Sequence, residues 1–188
     1  GKDGIMAVVN SGFRVNEYTS MTADASAGVT SITVTDNKLN GNGRFTSVLS
    51  GGDLLLIIQM QGASLRGAPS GNTTTPNDST WGEVLAYNNC GLFEFVEVAG
   101  TSGNSTIMLN CPLKNAYTAL GKVQVIRVPR VSSLTVSNTA VLTCDIWNGV
   151  LGGILAVEVA GNTNINAGGK IDVTGKGFRG GALDDSTS

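Results

Sequence analysis

The glycine cluster GKGFRGG at 175–181 is the stretch of this sequence whose residue types most suggest ligand chemistry. Its first six residues match G-x-G-x-x-G, in which glycines let a phosphate approach the backbone and basic residues add charge. That pattern requires a helix behind it, and the following GALDDSTS forms no amphipathic helix. The cluster therefore predicts a tight structural turn, with Phe178 capping a strand stack and Arg179 bonding to carbonyls or a carboxylate. The predicted turn residues are Gly175, Gly177, Phe178, Arg179, Gly180 and Gly181.

Candidate acid–base residues are few. The sequence has no histidine, which excludes the commonest general base and a Ser-His-Asp triad within this chain. Two carboxylates across a cleft could cleave a glycosidic bond, but Glu94 and Glu97 have opposite parity on one strand. Asp145 and Glu158 could approach each other in stacked strands, as could many other pairs. Solvated carboxylates are the simpler interpretation, and we predict no enzymatic activity.

The sequence has three cysteines, Cys90, Cys111 and Cys144. They form no C-x-x-C motif and the sequence has no histidine, which argues against a zinc site. Cys90 and Cys111 flank a predicted hairpin. In a hairpin whose turn is centred near Ser102, residues opposite each other have numbers that add up to about 203. The numbers of the two cysteines add up to 201, so they would lie nearly opposite each other. The sequence therefore allows a Cys90–Cys111 disulfide, with two reduced, half-buried thiols as the alternative.

The oxygen-rich turn DNKLNGNG at 36–43 raises the question of calcium. It lacks the spacing and the final Glu of an EF-hand, and it does not match the nonapeptide calcium repeat. Asn and Asp in turns commonly bond to their own backbone. We therefore predict no cofactor and no metal, with a bound Ca²⁺ at this turn as the alternative.

The two tryptophans could each mark a carbohydrate platform. Trp81 follows the polar loop 62–80 directly, and such long loops are commonly exposed and functional. Trp147 comes just before a predicted strand and is more typical of core packing. Core packing is also the simpler interpretation for Trp81, which stays a candidate ligand contact.

Bulk composition narrows the class of protein. The net charge is −2, and the 12 Lys and Arg residues are scattered, which argues against nucleic acid as a partner. The longest apolar run, 54–58, is too short to span a bilayer. No basic and apolar leader opens the sequence, so a secreted protein would have had its signal peptide removed or omitted.

The elements that must position these residues are strands. The 26 glycines and the abundant Thr, Ser, Asn and Val favour strands and turns, and DLLLIIQMQ and KVQVIRVP are strong strand predictions. After Pro129, an apolar position recurs at Leu134, Leu155 and Val173, a spacing that suits rungs of a parallel β-solenoid. A meander packing on a sandwich is the alternative. We predict an all-β chain with an antiparallel barrel- or sandwich-like head over 1–130 and the first rungs of a parallel β-solenoid over 131–188.

Several motifs follow one another in a recognisable order: ASAGVTSITVTD, GGDLLLIIQMQGA, GEVLAYNNCGLFEFVEVAG, CPLKNAY, LTCDIWNGVLGGILAVEVAG and IDVTGKGFRGGA. This series, over residues 22–182, resembles the N-terminal region of large secreted glycine-rich bacterial surface proteins. These include GKGFRGG-containing adhesins and gliding-motility adhesins of the SprB type. The resemblance implies export, surface attachment or filament building, and no catalytic residues. It also implies O-glycosylation at D-S-T tripeptides, which would fall on Ser79 and Ser186.

We therefore expect a non-enzymatic, extracellular structural or adhesive module of a bacterial cell-surface protein or filament. The alternatives are a carbohydrate-binding module that uses Trp81 and, by fold analogy, a polysaccharide-active β-solenoid enzyme. An open last rung would leave backbone groups unpaired, so residues 165–188 should meet more of the same chain or another protein subunit. Surface glycans are a second candidate partner.

Overall fold

A computed structural model describes residues 2–67 and 82–178. In this part of the chain the structure is all-β, with one 3-10 turn at Ala119–Gly121, and it contains no helix long and apolar enough to cross a membrane. The strands are β1 (Ile5–Val8), β2 (Phe13–Arg14), β3 (Glu17–Ser20), β4 (Ser31–Thr33), β5 (Leu54–Gln59), β6 (Ser64–Leu65), β7 (Val84–Ala86), β8 (Phe93–Ser102), β9 (Thr106–Leu109), β10 (Val123–Val128), β11 (Arg130–Val131), β12 (Ser133–Val136), β13 (Val141–Thr143), β14 (Glu158–Val159), β15 (Thr163–Ile165) and β16 (Lys170–Ile171).

The chain divides into two compact units. Unit 1 comprises the described residues of 1–18, 39–48 and 127–188, and unit 2 comprises those of 19–38 and 49–126. This division differs from the predicted boundary at 130, because the first strands of the chain pair with strands beyond it. Unit 2 therefore lies in the sequence between the first and last segments of unit 1, and the short segment 39–48 of unit 1 interrupts it.

Unit 1 consists of parallel strands stacked in three rungs. One column is β1, β12 and β15, a second is β2, β13 and β16, and β11 pairs with β14. The core between them is apolar because alternate residues of each short strand point inward. Its buried members are Val8, Val15, Val131, Leu134, Val136, Ala140 and Leu142. The prediction of parallel rungs is confirmed, and the first rung comes from the start of the chain.

The repeat between the second and third rungs is longer than the sequence spacing predicted. Arg130 aligns with Glu158, and Leu134 aligns with Thr163, so the third rung gains one residue between these two pairs. The extra residue lies near Gly161, where an added Cβ would be 2.7 Å from the Ser132 carbonyl oxygen. The alignment of rungs predicted from the spacing of Leu134, Leu155 and Val173 is therefore wrong, because Leu134 aligns with Thr163 and not with Leu155.

A six-stranded sheet with the order β3-β10-β5-β8-β9-β4 has most of its residues in unit 2. The pairs β5–β8, β8–β9 and β9–β4 are antiparallel, as predicted for the head. Strands β5 and β10 form interior strands, in agreement with the strand predictions for DLLLIIQMQ and KVQVIRVP. Strand β7 pairs with β6 and not with β8. The all-β fold class, with an antiparallel head and parallel rungs, is thus confirmed.

The hairpin of β8 and β9 corrects the geometry on which the disulfide prediction was based. Ser102 pairs with Thr106, so the turn centres on Asn104, later in the sequence than predicted. This shift means that Cys90 and Cys111 are not abreast on the hairpin. Both are free thiols in the structure, and the predicted disulfide is not formed.

Candidate functional site

Four charged side chains of unit 1, Arg14, Glu17, Arg44 and Asp145, form what we call the charge cluster. Arg14 ends β2, Glu17 begins β3, and Asp145 follows β13 closely. Arg44 lies in the segment 39–48, which belongs to unit 1 and comes between β4 and β5 in the sequence. Parallel pairing of β2 with β13 brings Arg14 near Asp145, although 131 positions separate them.

Asp145 joins the two arginines. Its Oδ1 accepts a hydrogen bond from Arg14 Nη1 at 2.6 Å, and its Oδ2 accepts one from Arg44 Nη2 at 3.1 Å. Arg44 Nη1 lies 3.2 Å from Glu17 Oε1. Glu17 also accepts hydrogen bonds from the backbone N–H and the side-chain Nδ2 of Asn42, at 2.8 and 3.1 Å. The cluster is thus two cations and two anions in alternation.

Burial divides the cluster into a buried part and an accessible part. The side chains of Arg44 and Glu17 are 8% and 6% exposed, whereas those of Asp145 and Arg14 are 23% and 58% exposed. Buried charges are tolerated when they are paired, as Arg44 and Glu17 are. The hydrogen bond that Arg14 donates to Asp145, together with the negative charge of Asp145, raises the pKa of Arg14, so this exposed guanidinium remains cationic. Arg14 is therefore the member that can meet a ligand.

Cavities adjoin the charge cluster on more than one side. One, of about 390 Å³, lies between Asn10–Arg14 and Asn42–Arg44. Another, of about 500 Å³, lies between Arg14, Thr143–Ile146 and Lys176. These two cavities share Gly12 and Arg14, and we call them together the Arg14 groove. Both volumes fall in the range that is typical of small-molecule sites.

Two further groups beside these cavities are held in their neutral forms. The Tyr18 hydroxyl donates a 2.6 Å hydrogen bond to the Ile154 carbonyl, and burial raises its pKa above the ordinary tyrosine value. Burial likewise raises the pKa of the Cys144 thiol. Because the thiolate is the nucleophilic form of cysteine, Cys144 is not an activated nucleophile.

Glu94 in unit 2 is buried, which corrects its prediction as a solvated carboxylate. It accepts hydrogen bonds from the backbone N–H groups of Lys114 and Asn115 at 2.9 and 3.0 Å, and from the Tyr117 hydroxyl at 3.1 Å. A buried carboxylate is stable when its oxygens are satisfied in this way. Glu94 therefore anchors the segment 114–117 and is not one half of an exposed catalytic pair.

The predicted glycine turn is described as far as Phe178. Gly175 has φ +68°, a left-handed conformation that glycine adopts without strain, and Lys176 N–H bonds to the Val173 carbonyl. The Phe178 ring contacts Trp147, with centroids 4.8 Å apart, and Trp147 is only 5% exposed. Trp147 is thus a packing residue. The remaining predicted positions lie outside the described residues, namely Ser79, Trp81, Arg179, Gly180, Gly181 and Ser186.

The side chains of Asp36 and Asn37, in the turn 36–43, bond to backbone groups. Asp36 Oδ1 accepts the backbone N–H of Lys38 at 3.1 Å, a local turn bond. The Asn37 amide donates to the carbonyls of Ser102, Gly103 and Thr106. Across the described ranges, no group of three or more His, Cys, Asp or Glu side chains is placed to hold a metal ion.

No protein-family model and no curated protein matches this chain. Among solved structures it is similar to the tailspike gp49 of Pseudomonas phage LKA1, with 18% identity over 75% of this chain and a TM-score of 0.36. It is also similar to the gp54 tailspike of Acinetobacter baumannii bacteriophage AP22, solved with A. baumannii capsular saccharide, with 13% identity over 87% and a TM-score of 0.38.

A third similar structure is the tailspike gp61 of Pseudomonas phage phi297, with 11% identity over 74% of this chain and a TM-score of 0.36. The chain spans 20–27% of the length of these three tailspikes. Similarity at this level does not transfer a function to this chain.

Proposed function

We propose that this chain is a non-enzymatic structural or adhesive module of an extracellular bacterial surface protein or filament, whose third rung docks a further parallel rung of protein. One observation carries the proposal. Ile165 aligns with Val136, and Ile171 aligns with Leu142. Val136 and Leu142 are fully buried, whereas Ile165 and Ile171 are 50% and 44% exposed.

The third rung therefore has apolar residues at the same inward positions as the second rung, but no further rung packs on them among the described residues. Its outer edge carries no strand in the described part of the chain, so its backbone N–H and C=O groups are open to pairing. Covering the exposed halves of two isoleucines would contribute roughly 1 kcal/mol each. At the first rung, Val8, which aligns with Val136, is fully buried, and Phe13, which aligns with Leu142, is half-buried. Docking is accordingly expected at the third rung.

The arrangement of carboxylates supports a non-enzymatic role. Glu17 and Asp145 are both ion-paired with Arg44, so their carboxylates are engaged within the charge cluster. Glu158 lies in a separate ion pair, with its Oε2 2.7 Å from Arg130 Nε. Glycoside hydrolysis needs two carboxylates on opposite sides of the glycosidic bond, and the described cavities do not contain such a pair.

The extracellular and adhesive part of the proposal rests on the ordered motifs of residues 22–182. Attachment in gliding motility, and glycan modification at Ser79 and Ser186, follow from the same resemblance. The low fraction of charged residues, 14%, and the excess of Thr, Ser and Asn are in keeping with such surface proteins.

Self-association at the third rung tests the proposal. The purified 188-residue chain should associate as its concentration rises, in sedimentation-velocity ultracentrifugation. Changing Ile165 and Ile171 to lysine should restore the monomer, since two charges would have to be buried in the new contact. The matched control is Leu120→Lys, which alters a leucine that is 91% exposed in unit 2. A wild-type chain that stays monomeric at millimolar concentration would refute the docking surface.

A further inference from the structure

We propose that the Arg14 groove binds a carboxylate-bearing saccharide, in which Arg14 pairs with the carboxylate of the sugar. The choice of a saccharide as the source of the carboxylate rests on the proposed function at a bacterial surface. The anion specificity rests on the geometry of the groove alone.

Arg14 is a pre-oriented carboxylate receptor. Its side chain is 58% exposed, and Asp145 fixes the guanidinium through a single short bond to Nη1. A guanidinium has five N–H donors, and the others of Arg14 make no hydrogen bond to a described residue. Arginine binds carboxylates through two parallel hydrogen bonds, which the free edge of Arg14 can offer. Asp145 therefore positions Arg14 without using up its donors.

The groove concentrates positive charge in an acidic chain. Its lining includes the cations Arg14, Arg44 and Lys176 and the carboxylate of Asp145. Arg44 is also paired with Glu17, so these five side chains together carry one net positive charge. The Lys176 side chain is half-buried and forms no ion pair with a described carboxylate. The whole chain, in contrast, carries a net charge of −2. This local excess of cations favours an anionic ligand over a neutral one.

The remaining lining suits sugar hydroxyls and a sugar ring. Asn10 and Ser11 are exposed and polar, and the Asn42 amide nitrogen is already bound to Glu17, which leaves its oxygen as an acceptor. Phe13 is half-buried beside Arg14 and offers an apolar surface for a ring face. Gly12 leaves open space above its backbone. A cavity of about 390 Å³ accommodates one or two sugar rings.

Titration calorimetry with defined oligosaccharides tests the inference. The trimers of galacturonate, glucuronate and mannuronate are titrated into the wild-type chain, and the methyl ester of each trimer serves as the neutral comparison. At least one uronate should bind, its ester should bind about ten-fold more weakly or worse, and Arg14→Gln should cause a similar loss. Arg66→Gln, at an exposed arginine paired with Glu83 in unit 2, should leave binding unchanged.

Several results would overturn the inference: no binding of any of the three uronates, equal binding of the esters, or an unchanged affinity in Arg14→Gln. Equal binding of a sulfated trimer would also overturn it, because the site would then select charge and not a carboxylate. If Arg14→Gln does not fold, Arg14→Lys supplies the measurement, because it keeps the positive charge but lacks the two parallel N–H donors, and it should also weaken uronate binding. Failure here leaves the sedimentation result at the third rung unaffected, so the two proposals fail separately.

Discussion

Arg44 Nη2 donates a 3.1 Å hydrogen bond to Asp145 Oδ2, and this bond links a buried arginine to an aspartate that also orients an exposed one. Replacing Arg44 with Met should destabilise the chain by about 3–5 kcal/mol, because it leaves the buried Glu17 carboxylate without its cation. Urea denaturation followed by circular dichroism measures the loss. Arg66→Met, which removes an arginine from an exposed pair with Glu83, should change stability by less than about 1 kcal/mol.

The double variant Arg44→Met with Glu17→Gln sharpens this prediction. If the cost arises from an unpaired buried charge, neutralising Glu17 should recover part of the lost stability. If the double variant is instead less stable than Arg44→Met, by as much as Glu17→Gln alone destabilises the wild type, the two changes are independent and an unpaired charge is not the cause.

The backbone contact between Gly161 and Ser132 can be tested with one methyl group. Gly161→Ala should destabilise by about 1–3 kcal/mol, since its Cβ would lie 2.7 Å from the Ser132 carbonyl oxygen and the third rung would have to shift. Gly41→Ala is the matched control in the same unit, because a Cβ there meets nothing within 4 Å and its φ is ordinary. Thermal unfolding of the two variants should separate them, and equal melting temperatures would contradict the close approach.

The three thiols should react in an order set by exposure. Cys111 is exposed, Cys90 is partly buried with its Sγ 3.5 Å from the Met60 carbonyl, and Cys144 is fully buried with a raised pKa. Iodoacetamide at pH 8, quenched at intervals and read by peptide mass, should modify Cys111 first and Cys144 only after unfolding. Early modification of Cys144 would contradict its burial, and an intact mass lower by two hydrogens would reveal a disulfide.

Stability should fall at alkaline pH because of two tyrosines. Burial raises the pKa of Tyr18 and of Tyr117 above the ordinary value of about 10, so the folded state keeps both protons where the unfolded state loses them. By linkage, their stabilisation is fully present below pH 10 and is lost as the pH rises above it. In the variant Tyr87→Phe, phenolate absorbance at 295 nm should then appear only together with unfolding. Absorbance that rises near pH 10 while circular dichroism is unchanged would contradict this.

The strands with long apolar runs could be predicted from the sequence, and the rungs could not be placed. In β5, five apolar residues follow one another, and in β10 four of the six residues are Val or Ile, so each segment indicates a strand without reference to distant residues. In β15, Ile165 is the single apolar residue, and its position is fixed by backbone pairing with β12. Such pairing has no local pattern, so the spacing of apolar residues in the sequence led to the wrong alignment.

The charge cluster was missed for the same physical reason. Arg14 and Asp145 are isolated charges that a parallel strand pair brings together over 131 positions. The available signal was compositional: with 14% charged residues, an arginine beside a short apolar strand is unusual enough to suggest a specific partner. The sequence, however, names no partner for it, and the rung register is needed to find Asp145.

The insertion of unit 2 between the first and second rungs has a consequence for the order of folding. Met6 and Leu134, which align in β1 and β12, are separated in sequence by the whole of unit 2, and so wide a loop closes slowly. Within unit 2, Met21 N–H bonds to the Val123 carbonyl, so its prior folding shortens that loop and lowers the closure cost by about 1 kcal/mol. During synthesis, the apolar strand β1 emerges before its partner β12 and stays unpaired until β12 is made. Slow folding of unit 2 would prolong this interval, in which β1 can associate with another molecule.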